Sequence, residues 1–139
     1  MTTADYLLKG ISLPDGTKTD VAIAGGLISS MSSEYKGEVK VVIDAKDCVV
    51  LPGLVDLHTH LREPGREDAE TVLSGSSAGV KGGYTAVSAM ANTSPVADTA
   101  GVVEQVYRLG QEAGLLDVFP IGAVTQGLKG EALSEIGAM

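Results

Sequence analysis

The sequence predicts an α/β chain in two parts: a small β-domain over residues 1–52, then three strand–helix units over residues 53–139. Three observations lead there. The apolar pattern changes character near residue 53, from short alternating stretches to buried strands followed by helical stretches, with short connections between them. Hydrophobic residues make up 44% of the 139, yet Phe occurs once and Trp not at all. The core is therefore aliphatic, which suits parallel strands covered by helices. Turn formers separate the early stretches, and glycines close the later ones.

In order along the chain, YLLKGISL (6–13), DVAIAGGLISSM (20–31) and VKVVIDA (39–45) alternate partially and read as antiparallel strands. PDG at 14–16 and EYKG at 34–37 divide them. CVVLPGLVDLHTH (48–60) contains the first strand of the second part, with GLVDLH its buried segment. Residues 68–81 fit a helix capped by Asp68, with Ala69, Val72, Ala78 and Val80 as a loose apolar face and Gly82 and Gly83 at its end. YTAVSAM (84–90) is a second buried strand. Residues 97–114 form a second helix, with Val102, Val106 and Leu109 in register and Gly114 closing it. LLDVFPIGAV (115–124) is a third strand, and GEALSEIGAM (130–139) begins a third helix.

Composition narrows the function classes. The net charge of −8, with no basic patch, argues against nucleic acid as a partner. The single cysteine, Cys48, excludes an intrachain disulfide and agrees with a reducing, cytoplasmic setting; it and Met90 read as packing residues. The N-terminus lacks a basic segment followed by an apolar one, and no apolar run approaches 18 residues, so neither a signal peptide nor a membrane span is expected. No phosphate-cradling glycine motif follows any strand.

Only two histidines occur, His58 and His60, two positions apart at the mouth of a strand. Residues i and i+2 of a strand share a face, so both imidazoles can reach one metal, or they can simply hydrogen-bond as a pair. Arg62 follows where the strand runs into a loop turned by Pro64 and Gly65. Its fork suits a carboxylate ligand, or an ordinary surface pair with Glu63 or Glu67. Asn92, in AMANTSP (89–95), can donate to a carboxylate or make an Asx-turn before Pro95. Asp56 shares the histidines' parity one step deeper, where it can orient an imidazole or serve as a structural carboxylate. Lys81 and Lys129 read as surface lysines.

DLHTHLREPG (56–65), GGYTAVSAMANTSP (82–95) and IGAVTQGLKGEALSEIGAM (121–139) together resemble the dihydroorotases of the amidohydrolase superfamily, along the whole chain. Histidine-x-histidine alone is shared across that superfamily; HTHLR combined with ANTSP is far more specific. The resemblance implies the first three units of a partial TIM (β/α)8 barrel of the metal-dependent amidohydrolase type, preceded by a small β-sandwich-like domain. It implies that His58 and His60 ligate Zn2+, two ions per full-length subunit, and that Arg62 and Asn92 bind the carboxylate of dihydroorotate or N-carbamoyl-L-aspartate. A homodimer, or association with another enzyme of pyrimidine synthesis, goes with it. Hydantoinases and allantoinases, which share the first motif, and a non-catalytic partner subunit are the rival readings.

Two departures from the family pattern matter. Ala91 stands where many relatives have proline, which would relax the loop carrying Asn92. A further metal-ligating acid, two more histidines and the acid–base aspartate are expected beyond residue 139, so no catalytic acid or base is assigned here. A whole barrel takes about 250 residues, and residues 53–139 suffice for three of its eight units. The chain is therefore read as the N-terminal part of a longer enzyme, inactive by itself. Val55, Leu57, Val87 and Val118 are expected to depend on barrel closure for burial.

Overall fold

The computed structural model describes residues 3–139, and the chain divides into two compact units, Met1–Pro52 and Gly53–Met139. The first is a four-stranded sheet of β1 (Ala4–Ser12), β2 (Lys18–Ala24), β3 (Leu27–Ser32) and β4 (Val39–Asp44), in the order β3-β2-β1-β4. The stretch expected as one strand over 20–31 is a hairpin. Gly25 and Gly26 take φ of 58° and 77°, and Ala24 faces Leu27 across the two-residue turn. Two successive left-handed residues are what such a turn needs, and glycine supplies them without steric cost. The sheet is also not wholly antiparallel, because β4 runs parallel to β1, with Ala4 opposite Val39 and Leu8 opposite Ile43. Alternation tells which face of a strand is apolar; it carries no information on the partner's direction.

Two small clusters hold this sheet. Ala4, Leu7 and Ala22 pack with Tyr35 and Val39, and Ile11, Val21 and Ala45 pack with Leu8 and Val50. The sheet also holds a buried carboxylate, Asp20. It accepts hydrogen bonds from the backbone N–H of Gly10 at 2.8 Å and of Tyr35 at 3.0 Å, tying β1 and the β3–β4 connection to β2. Those bonds, Tyr35 first, hold its carboxyl below the usual range against the opposing effect of burial. Cys48, expected to pack, is exposed.

The second unit is a parallel sheet of β5 (Leu54–Thr59), β6 (Tyr84–Ala89) and β7 (Asp117–Pro120), in that order. Two helices, α1 (Val72–Lys81) and α2 (Ala100–Ala113), pack on it and on each other. Val87, Ala89 and Val118 of the sheet meet Val72, Val106, Leu61 and Leu116 in one core. Val87 and Val118 thus owe their burial to the helices, contrary to expectation. Fully burying a valine is worth about 1.5–3 kcal/mol. Val55 and Leu57 on the other face remain 58% and 73% exposed and contribute little of that.

Helix α1 starts later than expected. Thr71, not Asp68, is its cap, in a reciprocal capping box with Ser74, while Asp68 pairs with Arg66. The sequence VLSGSSAGVK is a poor helix former, so these caps and the buried Val72 matter more than propensity. Helix α2 has Thr99 at its N-cap position and ends at Gly114 with φ 61°. The third helix does not form. Residues 121–139 instead make a loop with two 3-10 turns, Gln126–Leu128 and Ile136–Ala138. Ser134 holds it by bonding through its Oγ to the carbonyl of Ala123 and through its N–H to Val124, and Gly127 and Gly130 take left-handed φ. No helix among the described residues is long and apolar enough to cross a membrane.

Two expectations on stability follow from this packing. A Cβ on Gly110 would lie 2.5 Å from Val118 Cβ, whereas one on Gly101 meets nothing within 4 Å. Alanine is favoured over glycine within a helix by about 1 kcal/mol, and overpacking costs about 1–3 kcal/mol. G101A should raise the urea midpoint and G110A should lower it, because a β-carbon branch point cannot step aside. At Asp20, asparagine offers one acceptor where two N–H groups point. D20N should therefore destabilise by about 1–3 kcal/mol and speed amide exchange at Gly10 and Tyr35. A carboxyl whose folded pKa is depressed stabilises above its unfolded value and loses that contribution as pH falls through the folded one. The gap between wild type and D20N should accordingly close on acidification below about pH 4, which unfolding curves against pH would read.

Candidate active site

Parallel pairing brings the C-terminal ends of β5, β6 and β7 to one edge of the sheet, and every candidate residue lies at that edge or one step inside it. The β5–β6 register slips between Asp56 and Thr59, an irregularity of the kind that re-aims side chains beside functional sites. Asp56 stabilises it. Its Oδ1 accepts the backbone N–H of His58 at 2.9 Å, so this carboxylate fixes the main chain under the histidines and makes no bond to an imidazole. Beyond the slip the strands rejoin, with Thr59 Oγ1 donating to Ser88 O at 2.9 Å and Met90 N donating to Thr59 O at 2.9 Å.

His58 and His60 stand next to each other with ring centroids 5.2 Å apart, edge to face at 63°. His60 is also joined to the loop after β6, where its Nδ1 lies 2.8 Å from Asn92 Oδ1. The amide oxygen of Asn92 is thus engaged by a histidine and forms no Asx-turn. Ala91, which precedes Asn92, is buried with Ala97 and Ala123. Ala97 N closes the loop by donating to Ala91 O at 3.0 Å.

Arg62 is exposed and makes no salt bridge among the described residues. The two carboxylates that could have paired with it are used otherwise. Glu63 Oε2 accepts from Val72 N at 2.7 Å, capping a free N–H in the first turn of α1, and Glu67 Oε1 accepts from Gly65 N at 2.8 Å. Arg62 also sits at φ 65°, a left-handed conformation that costs a side-chain-bearing residue about 1–2 kcal/mol. Leu128, at φ 60°, is the other residue with a side chain in this conformation among the described residues.

The loops carrying Arg62 and Asn92 are locked together through their backbones. Ser94 N donates to Pro64 O at 2.9 Å. Gly65, at φ 101°, comes so close that an added Cβ would be 2.2 Å from Ser94 O. The third loop is pinned to the second in turn, by Ala123 N to Ala97 O at 2.7 Å and by Gly127 N to Asp98 Oδ2 at 2.7 Å. Glu63, Ser94 and Asp98 had no signal in the sequence, since each acts on a backbone group far along the chain or in another loop. Lys81 and Lys129 are both exposed, as expected.

Residues 47–139 match the family model described as "Dihydro-orotase-like". Dihydroorotase of Streptomyces coelicolor is 59% identical over 96% of this chain and 31% of its own length. That of Leifsonia xyli subsp. xyli is 56% identical over 100% of this chain and 32% of its own. The chain therefore spans about a third of the curated relatives it matches. A solved structure, L-hydantoinase (dihydropyrimidinase) from Arthrobacter aurescens, superposes with a TM-score of 0.72, covering 88% of this chain and 28% of that one at 24% identity. That likeness is one of α/β fold. The matched segment holds the histidine pair, Arg62 and Asn92 together, and the chain belongs to the dihydro-orotase-like family.

Proposed function

We propose that the chain is the N-terminal part of a cytoplasmic, zinc-dependent dihydroorotase. Such an enzyme interconverts N-carbamoyl-L-aspartate and (S)-dihydroorotate, with loss or gain of water, in pyrimidine biosynthesis. Its three parallel strands would begin a (β/α)8 barrel, with the site at the C-terminal face where such barrels place theirs. The four-stranded sheet would be one layer of a small β-sandwich-like domain. The observation that carries the reading is Arg62, an exposed cation with no salt bridge among the described residues, on a strained backbone two residues from His60, with both neighbouring carboxylates bonded to backbone N–H groups.

The two adjacent imidazoles fit part of a zinc shell, as neutral nitrogen donors on one short segment. No cluster of three or more His, Cys, Asp or Glu suited to a metal occurs among the described residues, so the remaining ligands would lie outside them. When bound, zinc supplies a Lewis acid that activates water and polarises the ring amide carbonyl. The chain's own residues bind and orient. Arg62 would receive the substrate carboxylate on two parallel N–H groups. Asn92, whose Nδ2 has no partner among the described residues, would donate to the same group. Two fixed donors on tied loops set the ring's position relative to the histidines, and such positioning lowers the barrier without any bond being made.

Two measurements on the full-length protein test this reading. R62M should lower kcat/KM toward dihydroorotate by about 10²–10³-fold, as expected if the bound substrate buries its carboxylate against Arg62 and loses that partner, with zinc content unchanged. The loss should be far smaller for a ring amide that lacks the carboxylate. Equal losses on both would make Arg62 structural and favour a hydantoinase-like activity. H58A and H60A should each lose zinc and activity together, and normal metal in both by elemental analysis would sink the ligand assignment.

A further inference from the structure

The bond between His60 and Asn92 constrains both partners. An amide oxygen only accepts, so a His60 Nδ1 that lies 2.8 Å from Asn92 Oδ1 carries the ring proton. The proton on Nδ1 leaves the lone pair on Nε2, since the neutral ring has one donor and one acceptor nitrogen. The converse arrangement fails twice over. With the amide turned about, Nδ2 would donate to Nδ1, the proton would sit on Nε2, and that nitrogen could not ligate a cation. The same turn would present Oδ1, an acceptor, where a substrate carboxylate needs a donor. One orientation of one amide therefore suits both a ligating His60 and an anionic substrate.

We propose that Asn92 is a positioning residue for the metal centre as well as a substrate-binding one: its Oδ1 holds His60 as the Nδ1–H tautomer with Nε2 as the ligating nitrogen, and its Nδ2 is thereby turned to the substrate carboxylate. This rests on the zinc and carboxylate reading above. The loop is built to hold the amide still. Ala91 is buried beneath it, Ala97 N closes it onto Ala91 O, and Ser94 N ties it to Pro64 O. The histidine side is equally fixed, because Asp56 holds the backbone of His58 and Thr59 is bonded to Ser88. The 2.8 Å contact thus joins two anchored segments, 32 residues apart in sequence. Groups that orient a metal-binding imidazole in this way affect metal affinity by about 10–100-fold when removed.

The test uses the full-length protein with N92A and N92D. Three quantities are measured: zinc affinity by competition with a chelator, the His60 tautomer by nitrogen-15 NMR of metal-free protein, and KM for dihydroorotate. N92A should weaken zinc binding about 10–100-fold, lose the Nδ1–H preference and raise KM. N92D keeps an acceptor facing Nδ1 but sets an anion against the substrate. It should keep both the tautomer and the zinc affinity while raising KM at least as much as N92A, a separation that a purely structural or purely substrate-binding Asn92 would not give. N92A with wild-type zinc affinity and tautomer, or N92D losing zinc as N92A does, overturns the proposal. H60A that still holds its full zinc overturns the ligand assignment beneath it instead, so the two failures are told apart.

Discussion

The arrangement of the second unit depends on the parallel pairing of β5 with β6 and on the slip in that pairing at residues 56–59. Parallel strands deliver their C-terminal ends to one edge, so loops separated by some thirty residues begin side by side. An uninterrupted ladder would have continued the strict alternation of side chains past His58. The slip breaks it, and Asp56 supplies from its side chain the acceptor that the His58 N–H would otherwise find in the ladder. The histidines then leave the sheet with their rings adjacent and one of them within reach of the next loop. The helices do the rest by covering a single face. The core of Val72, Val87, Val106 and Val118 fixes the sheet from behind and leaves the strand ends open.

Charge placement follows from the same backbone. Glu63 and Glu67 are the acidic residues nearest Arg62 in sequence. Each is drawn away by a backbone N–H, one at the start of α1 and one at Gly65. Helix α1 needs that help, given its serines and glycines, so the Glu63 contact supports its first turn while occupying an oxygen beside Arg62, which has no salt bridge among the described residues. The left-handed backbone at Arg62 is the accompanying cost, tolerated because the turn through Pro64 and Gly65 is closed against Ser94.

Much of this was legible in the sequence, for reasons that can be stated. Elements set by their own periodicity were readable: β5, β6, α2 and the change of pattern near residue 53. The residues expected to carry chemistry do gather at one edge, because strand ends in a parallel sheet must. What escaped was set by partners distant in sequence. The GG at 25–26 lay within an apolar run and looked like part of a strand. The start of α1 was fixed by Thr71 and Ser74 in a weak variant of the capping box, while the nearer Asp68 had a better partner in Arg66. The end of the chain had a helical composition, but Ser134 bonds back to residues 123 and 124 and glycines bend it. Of the two roles open to Asp56, the structure shows the structural one, a bond to backbone rather than to an imidazole. Parity could place the carboxylate near the histidines; it could not show that the register slips there.

The tie between the first two loops is made by main-chain atoms, Ser94 N to Pro64 O, together with the close seat of Gly65 on Ser94. A backbone bond is indifferent to most side chains around it. The side chain of Arg62 can therefore change while the scaffold that spaces the two loops stays put, provided the glycine is kept, whereas Asn92 is bound to His60 as well. Spacing and side-chain chemistry at this edge are in that sense separable. What projects from the loops can vary with no need to rebuild how the loops are held.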